Sequence, residues 1–285
     1  MSKPVGKIVD TLIGFRALRV VPPIAALRES DKVDHHPHGY MFKDIPPELS
    51  ADDDPAASIA ETLGKMDQFG IQYGLVSLTE TMTAQAVKQH PDRFLPTLAA
   101  DGNKGMDAVR AIVRAKEEHN IRGITIFPSG VSPQLPINDK HWYPIYAKCV
   151  ELDLPIFCAV GVPGPRVPMM PQWPGYLDEV CYDFPELKLV MRHGAEPWAD
   201  LAVKLMLKWP NLYYSTSGFA PKYIPKEVID FANTRGADKV MYAGYFPMGL
   251  SLERIFGELE AVPLRAEILP KFFSENARRV LNLAP

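Results

Sequence analysis

The stretch Tyr143-Pro144-Ile145-Tyr146-Ala147-Lys148-Cys149-Val150-Glu151-Leu152 runs almost directly into Pro155-Ile156-Phe157-Cys158-Ala159-Val160. The first part carries apolar residues at helical spacing. The second is a short, near-continuous apolar run, as expected of a strand covered on both faces. A helix that hands over to such a strand is the unit of a parallel sheet. Upstream, the same unit places strands at Tyr73–Leu78 after Ile59–Phe69, at Phe94–Ala99 after a helix ending near His90-Pro91, and at Gly123–Phe127 after Met106–His119. Downstream it places strands at Lys188–Arg192 after Tyr176–Cys181, at Asn211–Ser215 after Ala199–Leu207, and at Lys239–Ala243 after Lys226–Ala232. Lys7–Ile13 opens the series, and helices over Leu252–Glu260 and Leu264–Leu281 close it.

Eight such units within 285 residues fit a closed α/β barrel, the (β/α)8 or TIM fold, which typically takes about 250 residues. No strand is followed by the GxGxxG turn of an open dinucleotide-binding sheet. No internal repeat or second domain is apparent, so residues 1–285 are read as a single barrel domain.

Composition narrows the function. Lys plus Arg number 31 and Asp plus Glu 34, a formal charge of -3. That balance offers no surface for a polyanion, so no nucleic-acid partner is expected. No apolar run reaches the roughly 18 residues of a spanning helix, and the start lacks the apolar core of a secretory signal. Cys149, Cys158 and Cys181 show no paired spacing and fit reduced thiols in a cytoplasmic protein. A small molecule is the expected partner, with a homo-oligomer allowed.

Two segments break the rhythm, and both follow strand ends at the face where barrel active sites lie. Residues 15–55 are far too long for a plain βα loop and read as a lid. They contain Asp34-His35-His36-Pro37-His38-Gly39-Tyr40-Met41-Phe42-Lys43 and the acidic Asp52-Asp53-Asp54. Residues 161–174 hold five of the chain's 28 prolines, each of which fixes φ, so this loop reads as a stiff wall. Tyr40, Phe42, Met169 and Trp173 would give the enclosed space an apolar, aromatic lining, or else form a subunit interface. Arg166 would clamp a carboxylate.

Among the strand ends, Arg192-His193-Gly194-Ala195-Glu196-Pro197-Trp198 carries the most chemistry. His193 is placed as an acid/base, with Glu196 as its orienting partner or a helix cap. Strict alternation would turn Arg192 away from the barrel interior, toward the outer helices. Tyr214 and Ser215 alternate, so at most one of them faces the mouth. Cys158 is read as a buried structural thiol.

Pro91-Asp92-Arg93-Phe94, Gly123-Ile124, Leu154-Pro155-Ile156-Phe157, His193-Gly194 with Pro197-Trp198, and Ser274-Glu275-Asn276-Ala277-Arg278-Arg279-Val280-Leu281 together resemble the amidohydrolase superfamily. The likeness is to the amidohydrolase-related branch that includes aminocarboxymuconate semialdehyde decarboxylase and aromatic carboxylate decarboxylases. The resemblance implies a divalent metal held by a His-x-His after strand one, a His after strand five, a His after strand six and an Asp after strand eight. Those positions fall here on Leu12, Gly14, Ala159, His193 and Tyr245. Only His193 could ligate as the family does, and catalytic metal sites take about three protein ligands. No cofactor is therefore expected. A metal relocated to the His35, His36 and His38 loop is the alternative.

The expected function is a metal-independent hydrolase, C–C lyase or decarboxylase. Its substrate would be a small cyclic or aromatic carbonyl or carboxylate compound. His193 would act as acid/base, Tyr245 would donate to developing negative charge, and His35, His36 or His38 would supply a second proton-transfer group. A catalytically inactive paralogue that binds a ligand or partners an active subunit is the alternative.

Overall fold

Eight strands form one sheet in chain order, each parallel to the next: β1 Ile8–Asp10, β2 Ile71–Ser77, β3 Phe94–Ala100, β4 Gly123–Ile126, β5 Ile156–Ala159, β6 Leu189–Arg192, β7 Leu212–Ser215 and β8 Val240–Met241. A parallel bridge between Ile13 and Phe246 joins the last strand to the first. Tyr245 N–H to Leu12 O (2.9 Å) and Gly14 N–H to Phe246 O (2.7 Å) hold the same seam, so the sheet curls shut as the expected (β/α)8 barrel. This computed structural model describes residues 7–16, 24–32, 39–42, 54–78 and 81–284.

The helices are α1 Pro55–Phe69, α2 Thr81–Gln89, α3 Met106–His119, α4 Tyr143–Glu151, α5 Leu177–Asp183, α6 Ala199–Lys208, α7 Lys226–Ala232, α8 Leu252–Leu259 and α9 Asn276–Val280. Local chemistry sets their ends. The Asp54 carboxylate accepts from Ala56 N–H ahead of Pro55, and Gly70 closes α1 at φ 71°. The closing segment differs from the continuous helix expected over Leu264–Leu281. It winds through a 3-10 turn at Ala266–Ile268 and a π turn at Lys271–Glu275 before α9. Pro270 lacks the N–H that an unbroken α ladder needs.

Two apolar layers result. Val9, Leu75, Leu95, Phe157, Val190, Tyr213 and Met241 come from seven different strands and meet Ala277, Val280 and Leu281. This is the packed interior of the barrel, closed at its lower end by α9. The opposite strand faces pack with the helices: Ile124, Ile126, Ile156, Cys158, Leu189, Met191, Leu212, Tyr214, Val240 and Tyr242. All three cysteines are buried and unpaired, and burial pushes the Cys181 thiol up to about 12. Among the described residues no helix is long and apolar enough to cross a membrane.

Candidate active site

The exit of β6 is a run of left-handed backbone: His193 φ 65°, Gly194 φ 91° and Ala195 φ 55°. Only glycine adopts this region freely, and each other residue there costs on the order of 1–3 kcal/mol. Gly194 has a second reason to be glycine, because a Cβ on it would lie 2.5 Å from the Phe219 ring. At the β8 exit Tyr245 is also left-handed, at φ 55°. The two strained exits bring their rings together. His193 and Tyr245 have centroids 5.5 Å apart, edge to face.

The β7 exit completes the surroundings of His193. Ser217 Oγ accepts from the His193 N–H at 3.2 Å and lies 3.3 Å from Nδ1. Gly218 follows at φ 90°, where a Cβ would stand 2.9 Å from Nδ1. Tyr245 is partly buried, and desolvation pushes its phenol up to about 12 against the lowering pull of Arg192. It therefore stays a hydrogen-bond donor throughout the neutral range.

Arg192 departs from the sequence expectation. The chain leaves the extended conformation at His193, so alternation cannot be counted through that residue. Arg192 instead shares the inward parity of Val190. Its guanidinium lies 4.3 Å above the Phe157 ring, Nη2 donates to Thr11 O at 2.5 Å, and the residue is 6% exposed. Thr11 and Ser215 join hydroxyls beside it at 2.8 Å, so Ser215 rather than Tyr214 faces inward. Tyr214 points into the helix layer, where its hydroxyl donates to Gly194 O at 2.9 Å and holds the β6 turn.

Asp10 was not foreseen. Its Oδ1 accepts from Leu12 N–H (3.0 Å) and Gly244 N–H (2.9 Å), tying the ends of β1 and β8 together. Burial raises its carboxyl to about 7, against the two backbone donors and Arg192, which lower it. Ser217 was also missed as the neighbour of His193. The available signals were a carboxylate ending the apolar run Ile8-Val9-Asp10 and a hydroxyl followed by glycine at Ser217-Gly218.

The remaining candidates divide. Phe42 reaches the mouth: its ring is 6.0 Å from that of Tyr245, and a Cβ on Gly249 would meet it at 2.5 Å. Tyr40 instead joins the two long loops, donating to Gly164 O at 2.7 Å under Arg166, 4.9 Å above its ring. Arg166 lies 3.7 Å from Asp31, so its charge is already engaged. Trp173 packs on Gly175 and edge-on to Tyr176 within its own loop. Met169 is 38% exposed. Glu196 makes its backbone bond to Val162, and partial burial raises its carboxyl. His35, His36 and His38 lie outside the described residues.

Three solved structures show the same fold. An uncharacterised TIM-barrel protein from Bordetella bronchiseptica superposes with TM-score 0.77 at 23% identity, covering 97% of this chain and 98% of that one. A 4-oxalomesaconate hydratase from Rhodopseudomonas palustris gives 0.66 at 18%, covering 96% and 95%. A 5-carboxyvanillate decarboxylase from Novosphingobium aromaticivorans gives 0.64 at 18%, covering 99% and 98%, and holds bound manganese. No curated protein matches.

Bound manganese in this and other solved neighbours overturns the expectation of no cofactor for this chain and points instead to a metal cofactor. The described residues of this chain nevertheless do not fit such an ion. No three His, Cys, Asp or Glu side chains among them come together. Leu12 and Ala159 carry no donor, Tyr245 keeps its proton, and the Arg192 guanidinium points into the same region. The amidohydrolase family model matches residues 27–283, and the chain belongs to that family.

Proposed function

We propose that this chain cleaves the bond between a small aromatic or cyclic ring and its carboxylate, with His193 as the proton donor. The observation that carries the reading is the convergence of His193, Ser217 and Tyr245 at the exits of β6, β7 and β8, two of which hold strained backbone. Backbone strain kept at the β6 and β8 exits, on either side of Ser217, is a feature of functional sites. The decarboxylase and hydratase among the solved neighbours support a reaction of this class.

In this reaction the ring–carboxylate bond breaks and CO2 leaves. The electron pair stays on the ring carbon, which takes a proton from the His193 imidazolium. Water then returns a proton to the imidazole. Ser217 Oγ, beside Nδ1, orients the ring so that Nε2 faces the substrate. The Tyr245 hydroxyl donates to the negative charge that develops on the substrate. Neighbouring manganese points to a metal cofactor in this family, but no step is assigned to it because the described residues do not fit it.

The test is CO2 release from a panel of hydroxylated benzoates by the full chain, with and without added manganese. Turnover that requires a carboxylate supports the reading, and its absence across the panel overturns it. A second reading, a non-catalytic carboxylate-binding protein, is favoured by the seating of Phe42 over Tyr245. It is the outcome if carboxylates bind without turnover.

A further inference from the structure

Arg192 is a guanidinium buried inside the barrel, attracted through space by Asp10 but in direct contact with no carboxylate among the described residues. It is 6% exposed, and among the described residues no carboxylate lies within ion-pair distance of it. Among the described residues its polar bonding consists of one donation to Thr11 O, and its buried Nε–H has no acceptor. The Phe157 ring beneath it supplies only a cation–π contact. A guanidinium has five N–H donors, and burying one unpaired is costly unless an anion completes the set. The acid that acts on it, Asp10, spends Oδ1 on the Leu12 and Gly244 N–H groups, while its buried Oδ2 makes no hydrogen bond among the described residues, so the two groups attract without pairing.

Its place in the barrel gives the missing partner a direction. Arg192 immediately precedes His193, and it bridges inward to β1 through Thr11 and to β5 through Phe157. Ala159, two residues beyond Phe157 on the same face of β5 and paired with Arg192 across the sheet, brings only a methyl group beside the arginine from that strand. An anion reaching the β6 exit beneath His193 would approach the guanidinium from that side, where its Nε–H still lacks an acceptor among the described residues.

We infer that Arg192 is the anion anchor of the barrel mouth and holds the carboxylate of a small aromatic or cyclic acid in bidentate fashion below His193. This rests on the proposed function and adds to it the residue that selects charged over uncharged substrates. It also explains why an arginine ends the otherwise apolar strand Leu189-Val190-Met191.

The experiment is calorimetric binding of benzoate and of benzamide, its uncharged counterpart, to the full chain. The wild type is expected to bind benzoate about tenfold or more tighter than benzamide. Arg192→Met, unbranched and of similar length but without charge, is expected to lose that preference while its benzamide affinity stays within about twofold. Arg192→Lys keeps the charge but not the fork, and is expected to weaken benzoate about threefold or more. It carries the test if the methionine variant does not fold.

Failure of the wild type to prefer benzoate overturns the inference. So does a preference that survives Arg192→Met, or that a chelator abolishes in the methionine variant, since either assigns the anion elsewhere. Displacement of benzoate by equimolar inorganic phosphate also overturns it, because the site would then read charge alone. Binding needs no turnover. A chain that binds benzoate through Arg192 yet releases no CO2 refutes the reaction and leaves the anchor in place.

Discussion

The lower interior of the barrel and its mouth are built from the same strands by opposite rules. Below, seven strands each contribute one apolar side chain to a dry layer closed by α9. Two residues further along those strands, the inward positions become Thr11, Thr97, Ala159, Arg192 and Ser215. Just beyond, the backbone itself turns unfavourable at His193, Ala195 and Tyr245. A purely structural barrel would gain by continuing the apolar layers upward. The change to polar groups and strain over one pleat marks where packing gives way to chemistry.

The largest effect that separates the two regions is expected from His193→Asn. Asparagine tolerates left-handed φ, so the turn is kept while the proton donor is lost. Turnover is expected to fall about 100- to 10,000-fold, with the thermal midpoint within a few degrees of wild type. Steady-state kinetics beside a melting curve check this, and retained activity would break the comparison on the side of the mouth.

Leu95→Ala tests the lower layer. Leu95 is 4% exposed, and its truncation is expected to cost about 2–5 kcal/mol of stability by denaturant unfolding. KM for any substrate should be unchanged at temperatures where the variant is folded. A large change in KM with little loss of stability would mean that the layer is not simply packing.

Asp10→Asn is the smallest and concerns the seam between the regions. The folded carboxyl sits near 7, above its ordinary 3.8, so the native state holds a proton that the unfolded chain releases between those values. The contribution of Asp10 to stability is thus complete below 3.8 and is lost as pH rises toward about 7. Asparagine keeps the acceptor for Leu12 and Gly244 without the charge. Between about pH 5 and about pH 8 the wild type is expected to lose on the order of 2 kcal/mol more than Asp10→Asn, read from melting curves across pH. Parallel curves would remove the buried acid from the account.

The barrel was legible from sequence because its strands alternate an interior and a helix-facing apolar surface, and pattern alone reports that. His193 was legible as the ionisable group at a strand end, and the seating of Phe42 at the mouth followed from loop length. Arg192 was misplaced because period-two counting fails where φ turns positive, and one left-handed residue is invisible in a pattern of types. Asp10 and Ser217 escaped because their roles depend on partners distant in the chain, Gly244 across the closure of the barrel and His193 across the β6–β7 pairing. The two long loops touch through Tyr40 and Gly164, a contact that the residue pattern did not indicate.

The central claim is that a substrate acid sits between the β6 exit and the barrel interior. A crystal structure of the chain with a slowly turned-over aromatic carboxylate tests it most directly. The carboxylate is expected within hydrogen-bond distance of the Arg192 guanidinium, with its ring beneath His193 and Tyr245. Density for the acid on the outer face of the loops, or an Arg192 that keeps Thr11 O as its sole partner, would contradict it.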